Sequence, residues 1–197
     1  LVLEEVCRMV RKIPGILYIL ISFIPWIIYW ILCGIGFRLG IAISFLISLI
    51  LIVSQIYRRY FNFMDIASII YFCIAFIGTF IFGLNIFVEE SGSLGYFALF
   101  LMALFSLIIK QPYTLQVSKR DYPEVYWRDR MFININNIIT IVWTMVFIAN
   151  ALIFLLLKAP LNIIFSNILI AFGMVFSIVF SLKVPAYFIL RNFKRYD

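Results

Sequence analysis

"KQPYTLQVSKRDYPEVYWRDR", residues 110–130, holds 8 of the chain's 25 charged residues within 21 positions. Long runs of Ile, Leu, Phe and Val lie on either side. A segment this polar in so apolar a chain marks a connection outside the hydrocarbon. Its cations also set how the rest of the chain threads a membrane. Even with it included, the protein is 65% hydrophobic, only 13% charged, and has a mean hydropathy of +1.12. Soluble domains run at about 45–50% apolar and about 25% charged. A chain of 197 residues could not hide so much apolar surface in one water-soluble core. The composition predicts an all-α integral membrane protein.

A membrane helix needs about 20 mostly apolar residues. Six stretches meet or approach this, at about 15–36, 39–57, 64–84, 93–110, 131–157 and 161–182. The first two are divided only by "GFRLG", with Gly36, Arg38 and Gly40, which reads as a turn or as a kink in one long segment. The fourth is short enough to be re-entrant, and the fifth is longer than a span requires. Charge decides for six spans. Alternate gaps then hold thirteen Lys and Arg, and the opposite gaps hold only Arg38 and Lys158. Cytoplasmic loops carry the Lys/Arg excess. Both termini and residues 110–130 are therefore expected on the cytoplasmic side of the cell membrane. Lys183, near the end of the sixth span, can snorkel towards the same face.

Three regions follow. Residues 1–14 place Leu3, Val6, Met9, Val10 and Ile13 near helical spacing among Glu4, Glu5, Arg8, Arg11 and Lys12. That pattern predicts an amphipathic interfacial helix rather than a cleavable signal. Because the chain starts at Leu1 rather than Met, further residues are expected upstream. Pro14-Gly15 turns into a six-helix domain over 15–190, and a basic tail covers 191–197.

Inside the spans, small and polar residues recur at helical spacing. Gly40, Ser44, Ser48 and Gln55 share one face of the second, and Ala75, Thr79 and Gly83 one face of the third. Ser166, Gly173, Ser177 and Ser181 line up on the sixth. Lipid supplies no hydrophobic drive for helices to associate, so such stripes serve close packing and hydrogen bonding. The fifth span is the most polar. Asn136, Trp143 and Asn150 share one face, while Asn134, Asn137 and Thr144 occupy another. Two polar faces suggest protein on two sides. Asn134, Asn137 and Thr144 could line a polar cavity, although interhelical hydrogen bonding is the commoner use of such residues. No charge sits at the middle of a span. Asp65, where the third begins, reads as a capping carboxylate at the positive end of a helix rather than as a proton carrier.

Reactive chemistry is sparse. The chain has no histidine, which excludes Ser-His-Asp and Cys-His arrangements and the commonest metal ligand. Cys7, Cys33 and Cys73 form no C-x-x-C pair. There is no P-loop, G-x-G-x-x-G, H-E-x-x-H or G-x-S-x-G pattern. Asp121, Glu124 and Asp129 are close together but sit among five cations, where they balance charge locally. No catalytic residue, cofactor site or metal site is expected. The cations suit anionic lipid headgroups, at about 1 kcal/mol each near the surface. Lipid accounts for them without nucleic acid. In residues 110–130, Lys119, Arg120, Trp127, Arg128 and Arg130 are the candidate contacts to lipid or partner. Tyr113, Tyr122 and Tyr126 join Trp127 in an interfacial belt, and Pro112 and Pro123 keep the segment from extending either helix.

"FIPWIIYWILCGIGFRLGIAISFLISLILIVSQIYRR" (23–59) resembles the opening of the bacterial intracellular septation protein A family. Shared features are an early Phe-x-Pro, a Gly-containing break and a basic pair after the second helix. "KQPYT", "YPEVYWRDRMF" and "ININNIITIVWTMVF" are also similar, through Lys110, Pro112, Pro123, Trp127, Asn137 and Trp143. The resemblance spans about residues 22–155, and the N-terminal arm and long sixth helix depart from it. It implies an inner-membrane protein linked to cell-envelope upkeep or division, without established catalysis. The expected function is that of a scaffold or accessory subunit, partnered by a membrane protein or a second copy. The alternative is a small-solute transporter, or the substrate-binding membrane subunit of an importer.

Overall fold

The structure, a computed structural model, describes residues 14–36, 38–58 and 62–182; of these, the side chains of Ile16, Tyr57 and Arg58 are not described. The expected interfacial arm, the basic tail, Lys183 and Arg59 lie outside the described residues. Helices dominate, with no strand among the described residues. We number them α1 Gly15–Gly34, α2 Leu39–Arg58, α3 Phe63–Phe76, α4 Ile86–Glu89, α5 Ser91–Ile108, α6 Tyr113–Ser118, α7 Arg130–Leu156 and α8 Leu161–Ser181. α3 continues as a π-helical turn over Ile77–Ile81. Six are long and apolar enough to cross a membrane: α1, α2, α3 with its π turn, α5, α7 and α8.

The breaks have local causes. "GFRLG" is a turn: α1 ends at Gly34, and Gly36 adopts φ +82°, a conformation that favours glycine. α5 is one continuous helix of 18 residues, long and apolar enough for a full crossing. It stops where Lys110 enters the left-handed region at φ 58° and its N–H turns back to the Leu107 carbonyl. α7 has 27 residues, about 40 Å at 1.5 Å per residue, and exceeds one bilayer crossing. The π turn ends at Ile81, Gly83 just beyond it takes φ +67°, and the Phe87 ring packs against Gly78.

Consecutive spans run antiparallel. Gly15, Phe63 and residues 110–130 meet at one end of the bundle, while Arg38 and Asn85 meet at the other. Among the described residues, segment 110–130 thus shares an end of the molecule with the starts of α1 and α3.

Aromatic rings fill the interior. Trp26, Tyr29 and Phe72 are fully buried. Trp26 stacks on Tyr71 at 5.0 Å and donates its indole N–H to Ser68 Oγ at 2.7 Å. Tyr29 and Tyr71 join hydroxyl to hydroxyl at 2.7 Å, and Trp30 stacks on Tyr96 at 4.6 Å. Each such ring pair contributes about 0.5–1.5 kcal/mol beyond area burial. The small residues set helix separations. Gly40, Ser44, Ser48 and Gln55 are all buried, and the Ser44 hydroxyl donates to the Pro25 carbonyl at 2.8 Å. α8 is the outermost span, with only Ser166 and Gly173 buried. Gly173 lies against the Trp143 ring, and Trp143 Nε1 donates to Ser177 Oγ at 2.9 Å.

Candidate functional site

The polar segment 110–130 forms an ordered elbow between α5 and α7. Pro112 precedes α6, and Pro123 precedes a single 3-10 turn, Glu124–Tyr126. Asp129 caps α7, its Oδ1 accepting the Met131 N–H at 2.8 Å. The capping residue sits at the end of a polar run just before an apolar one, a signal legible in sequence. α6 is pinned along α7. Thr114 Oγ1 donates to the Asn136 carbonyl at 2.9 Å and lies 2.7 Å from Thr140 Oγ1. Ser118 Oγ donates to Asn136 Oδ1 at 2.8 Å.

The elbow also closes the ends of two other spans. A helix N-terminus leaves backbone N–H groups without intrahelical acceptors. Pro14 offers no side-chain cap to α1, and Asp121 Oδ1 accepts the Gly15 N–H at 2.8 Å instead. Its carboxylate also suits the positive end of the helix. Gln116 Oε1 accepts the Phe63 N–H of α3 at 3.1 Å. Neither contact has a sequence signal, since the partners are 106 and 53 positions apart.

This anchoring divides the candidate docking residues in two. Lys119 holds its ammonium 5.5 Å above the Trp127 ring, and Arg120 lies half-buried with its guanidinium 3.4 Å from the centre of the Tyr18 ring. Trp127 is half-buried and donates Nε1–H to the Tyr122 carbonyl at 2.9 Å. These three side chains build the elbow. Arg128 and Arg130 are exposed, as are Glu124 and Val125. Burial, followed by the negative charge of Asp121, holds the Tyr122 phenol above its ordinary ionisation range.

The three candidate cavity residues of α7 do not converge. Asn134 is exposed, Asn137 is half-buried, and Thr144 is buried with its hydroxyl donating to the Thr140 carbonyl at 2.7 Å. The inward polar face of α7 carries Asn136, Thr140 and Asn150 together with Thr144, without Asn134 or Asn137. Two clefts lie elsewhere. One, about 330 Å³, is an apolar groove between α5 and α7 lined by Phe97, Ile148, Leu152 and Leu155 among others. The other, about 300 Å³, lies at the end away from the elbow, where Arg38 bonds Asn85 beside Glu89.

Beneath the elbow sits a second polar group. Asp65 is 2% exposed, and its Oδ2 accepts the Tyr18 hydroxyl at 3.0 Å and the Gln55 amide N–H. Gln55 Oε1 accepts the Asn62 backbone N–H at 3.1 Å. The N-cap of α3 is Asn62, whose side chain accepts the Met64 N–H. Asp65 thus occupies the first turn without serving as the cap. Sequence reading found the acid but not its partners, since Tyr18 and Gln55 lie on other spans.

Among the described residues no three His, Cys, Asp or Glu side chains group to hold a metal ion; Cys33 is buried in α1 and Cys73 half-buried on α3. No family model, no curated protein and no solved structure matches the chain.

Proposed function

We propose that this chain is a non-catalytic scaffold or accessory subunit of a complex in the cell membrane, serving the cell envelope. In this reading both termini and the elbow face the cytoplasm, following the cation bias of the loops. The elbow lies on the inner leaflet, where it docks anionic lipid headgroups and a partner membrane protein or second copy. The resemblance to the septation protein A family points the same way.

One observation carries the reading. The elbow is fastened to the bundle through Thr114, Ser118, Gln116 and Asp121, yet turns Arg128 and Arg130 outward. A rigid platform with two outward guanidinium groups suits headgroup phosphates and acidic partner residues. The bundle interior beside it is packed with rings, as befits a load-transmitting element rather than a solute path.

The test is native purification in mild detergent, with lipids and partner proteins quantified for the wild type and the Arg128→Glu/Arg130→Glu variant. Loss of two favourable contacts at about 1 kcal/mol each predicts about a thirtyfold fall in retention at equal expression. Unchanged retention refutes docking through the elbow.

A further inference from the structure

The Asp65 carboxyl is satisfied on one oxygen only. Tyr18 and Gln55 both donate to Oδ2, while Oδ1 is buried and accepts no hydrogen bond. Ser22 of α1 and Asn62 are further hydrogen-bonding neighbours of the carboxyl group, outside the geometry of a formed bond to Oδ1, and Ser22 is 1% exposed. Asn62 Nδ2 is likewise buried without a hydrogen-bond acceptor. An ionisable group shut inside a membrane bundle with an unused oxygen is a functional site by default.

The surroundings select the ligand. Tyr18 and Gln55 present hydrogens to Asp65, where a metal ion would need lone pairs. Neither of the two clefts described above shares a lining residue with the cluster, and a hydrated cation or an ammonium group needs a cavity to sit in. A proton needs no such room. A carboxylic acid keeps one oxygen as acceptor and turns the other into a donor. Oδ2 already has its donors, and a hydroxyl such as Ser22 can accept from Oδ1–H.

We propose that Asp65 is a proton-binding site of the bundle, loaded on Oδ1 from the elbow side. A hydronium ion gives its proton to Oδ1, leaving water and a neutral carboxylic acid; release reverses the step. The Tyr18 and Gln55 bonds to Oδ2 persist in both states, and Oδ1–H donates to Ser22 Oγ in the loaded one. The titratable or charged groups facing the cluster are Tyr18 on α1 and, on the elbow, Arg120 above the Tyr18 ring and Asp121 at the Gly15 N–H. The described side chains of α2 contribute none. On α3, Tyr71 and Cys73 lie more than a turn further along, and on α5 Tyr96 stacks at Trp30, away from the cluster. Arg120 therefore supplies the positive charge that faces ionised Asp65, through the ring of the residue that bonds it. The proposal is independent of the scaffold reading.

The experiment is pH-step infrared difference spectroscopy of the full chain in phospholipid nanodiscs, in H₂O and D₂O. A reversible, deuterium-sensitive C=O band of a protonated carboxyl group removed from water is expected. It disappears in Asp65→Asn and persists in Asp121→Asn. A wild type without a pH-dependent band overturns the proposal, whether Asp65 is permanently ionised against a bridging water or permanently protonated. So does a band that survives Asp65→Asn. Should Asp65→Asn fail to fold, Ser22→Ala decides. The band moves to higher frequency when Oδ1–H loses its acceptor, and an unmoved band overturns the assignment.

Discussion

Thr114 and Thr140 join the elbow to α7 through one hydroxyl pair, and the geometry assigns its donor. Thr114 commits its single proton to the Asn136 carbonyl at 2.9 Å. In the 2.7 Å contact between the two hydroxyls, Thr140 must therefore donate to Thr114 Oγ1. Valine is nearly isosteric with threonine, so replacing either residue removes the hydroxyl with little change in packing. Side-chain hydrogen bonds between membrane helices are worth about 0.6 kcal/mol on average and at most about 1.7. Both residues are buried, Thr140 completely, which places this pair in the upper part of that range. Thr140→Val should destabilise the protein by about 1 kcal/mol. Thr114→Val loses two bonds, but the freed Thr140 proton can turn back to the carbonyl four residues earlier, so about 1.5 kcal/mol is expected. The double variant should also lose about 1.5 kcal/mol, leaving a coupling of about 1 kcal/mol. The assay is equilibrium unfolding by SDS in mixed micelles, followed by tryptophan fluorescence across the four-variant cycle. Additivity within about 0.3 kcal/mol would refute a direct bond between the hydroxyls.

Two further expectations concern the same end of the molecule. A Cβ at Gly15 would stand 2.5 Å from Asp121 Oδ2 and 2.9 Å from the Val117 carbonyl oxygen, whereas one at Gly34 meets no heavy atom within 4 Å. Gly15→Ala should destabilise by about 1–3 kcal/mol and speed trypsin cleavage after Lys119 and Arg120, while Gly34→Ala is neutral or stabilising by up to about 1 kcal/mol; equal effects in unfolding and proteolysis would contradict the packing of α1 against the elbow. The Tyr122 phenol binds its proton more tightly in the fold, through burial and then the Asp121 charge. Its contribution to stability is complete below the ordinary phenol value of about 10 and is lost as pH rises through the elevated folded value. Tyr122→Phe should flatten the alkaline limb of a stability–pH curve, and Asp121→Asn should bring phenolate absorbance on at lower pH. A Tyr122 that ionises at the ordinary value would contradict its setting.

The number of spans was legible because it depends on composition along the chain alone. About 20 apolar residues must bury their backbone hydrogen bonds within themselves in lipid, so each run declares itself. The position of the elbow was legible for the same reason in reverse: eight charges cannot sit in hydrocarbon. Gly36 marked the first turn because the required positive φ suits glycine. Residues 134, 137 and 144 show where such reasoning stopped. Helical spacing groups Asn137 and Thr144 on one face, but which face meets a neighbour depends on how α7 is rotated against α5, α6 and α8. The structure turns Thr144 inward with Asn136, Thr140 and Asn150, and leaves Asn137 half-buried and Asn134 exposed.

The same distinction separates Lys119 and Arg120 from Arg128 and Arg130. In sequence all four are cations of one polar segment. In space the first pair stacks on Trp127 and Tyr18, and the second faces outward. The chain by itself determined six segments long and apolar enough to span a membrane and one dense polar connection, because hydropathy and charge are properties of local stretches. Only the tertiary structure decided that the connection folds back over two helix N-termini and covers Asp65. Those contacts join residues 47 to 106 positions apart, and distance along a chain carries no record of which side chains will meet.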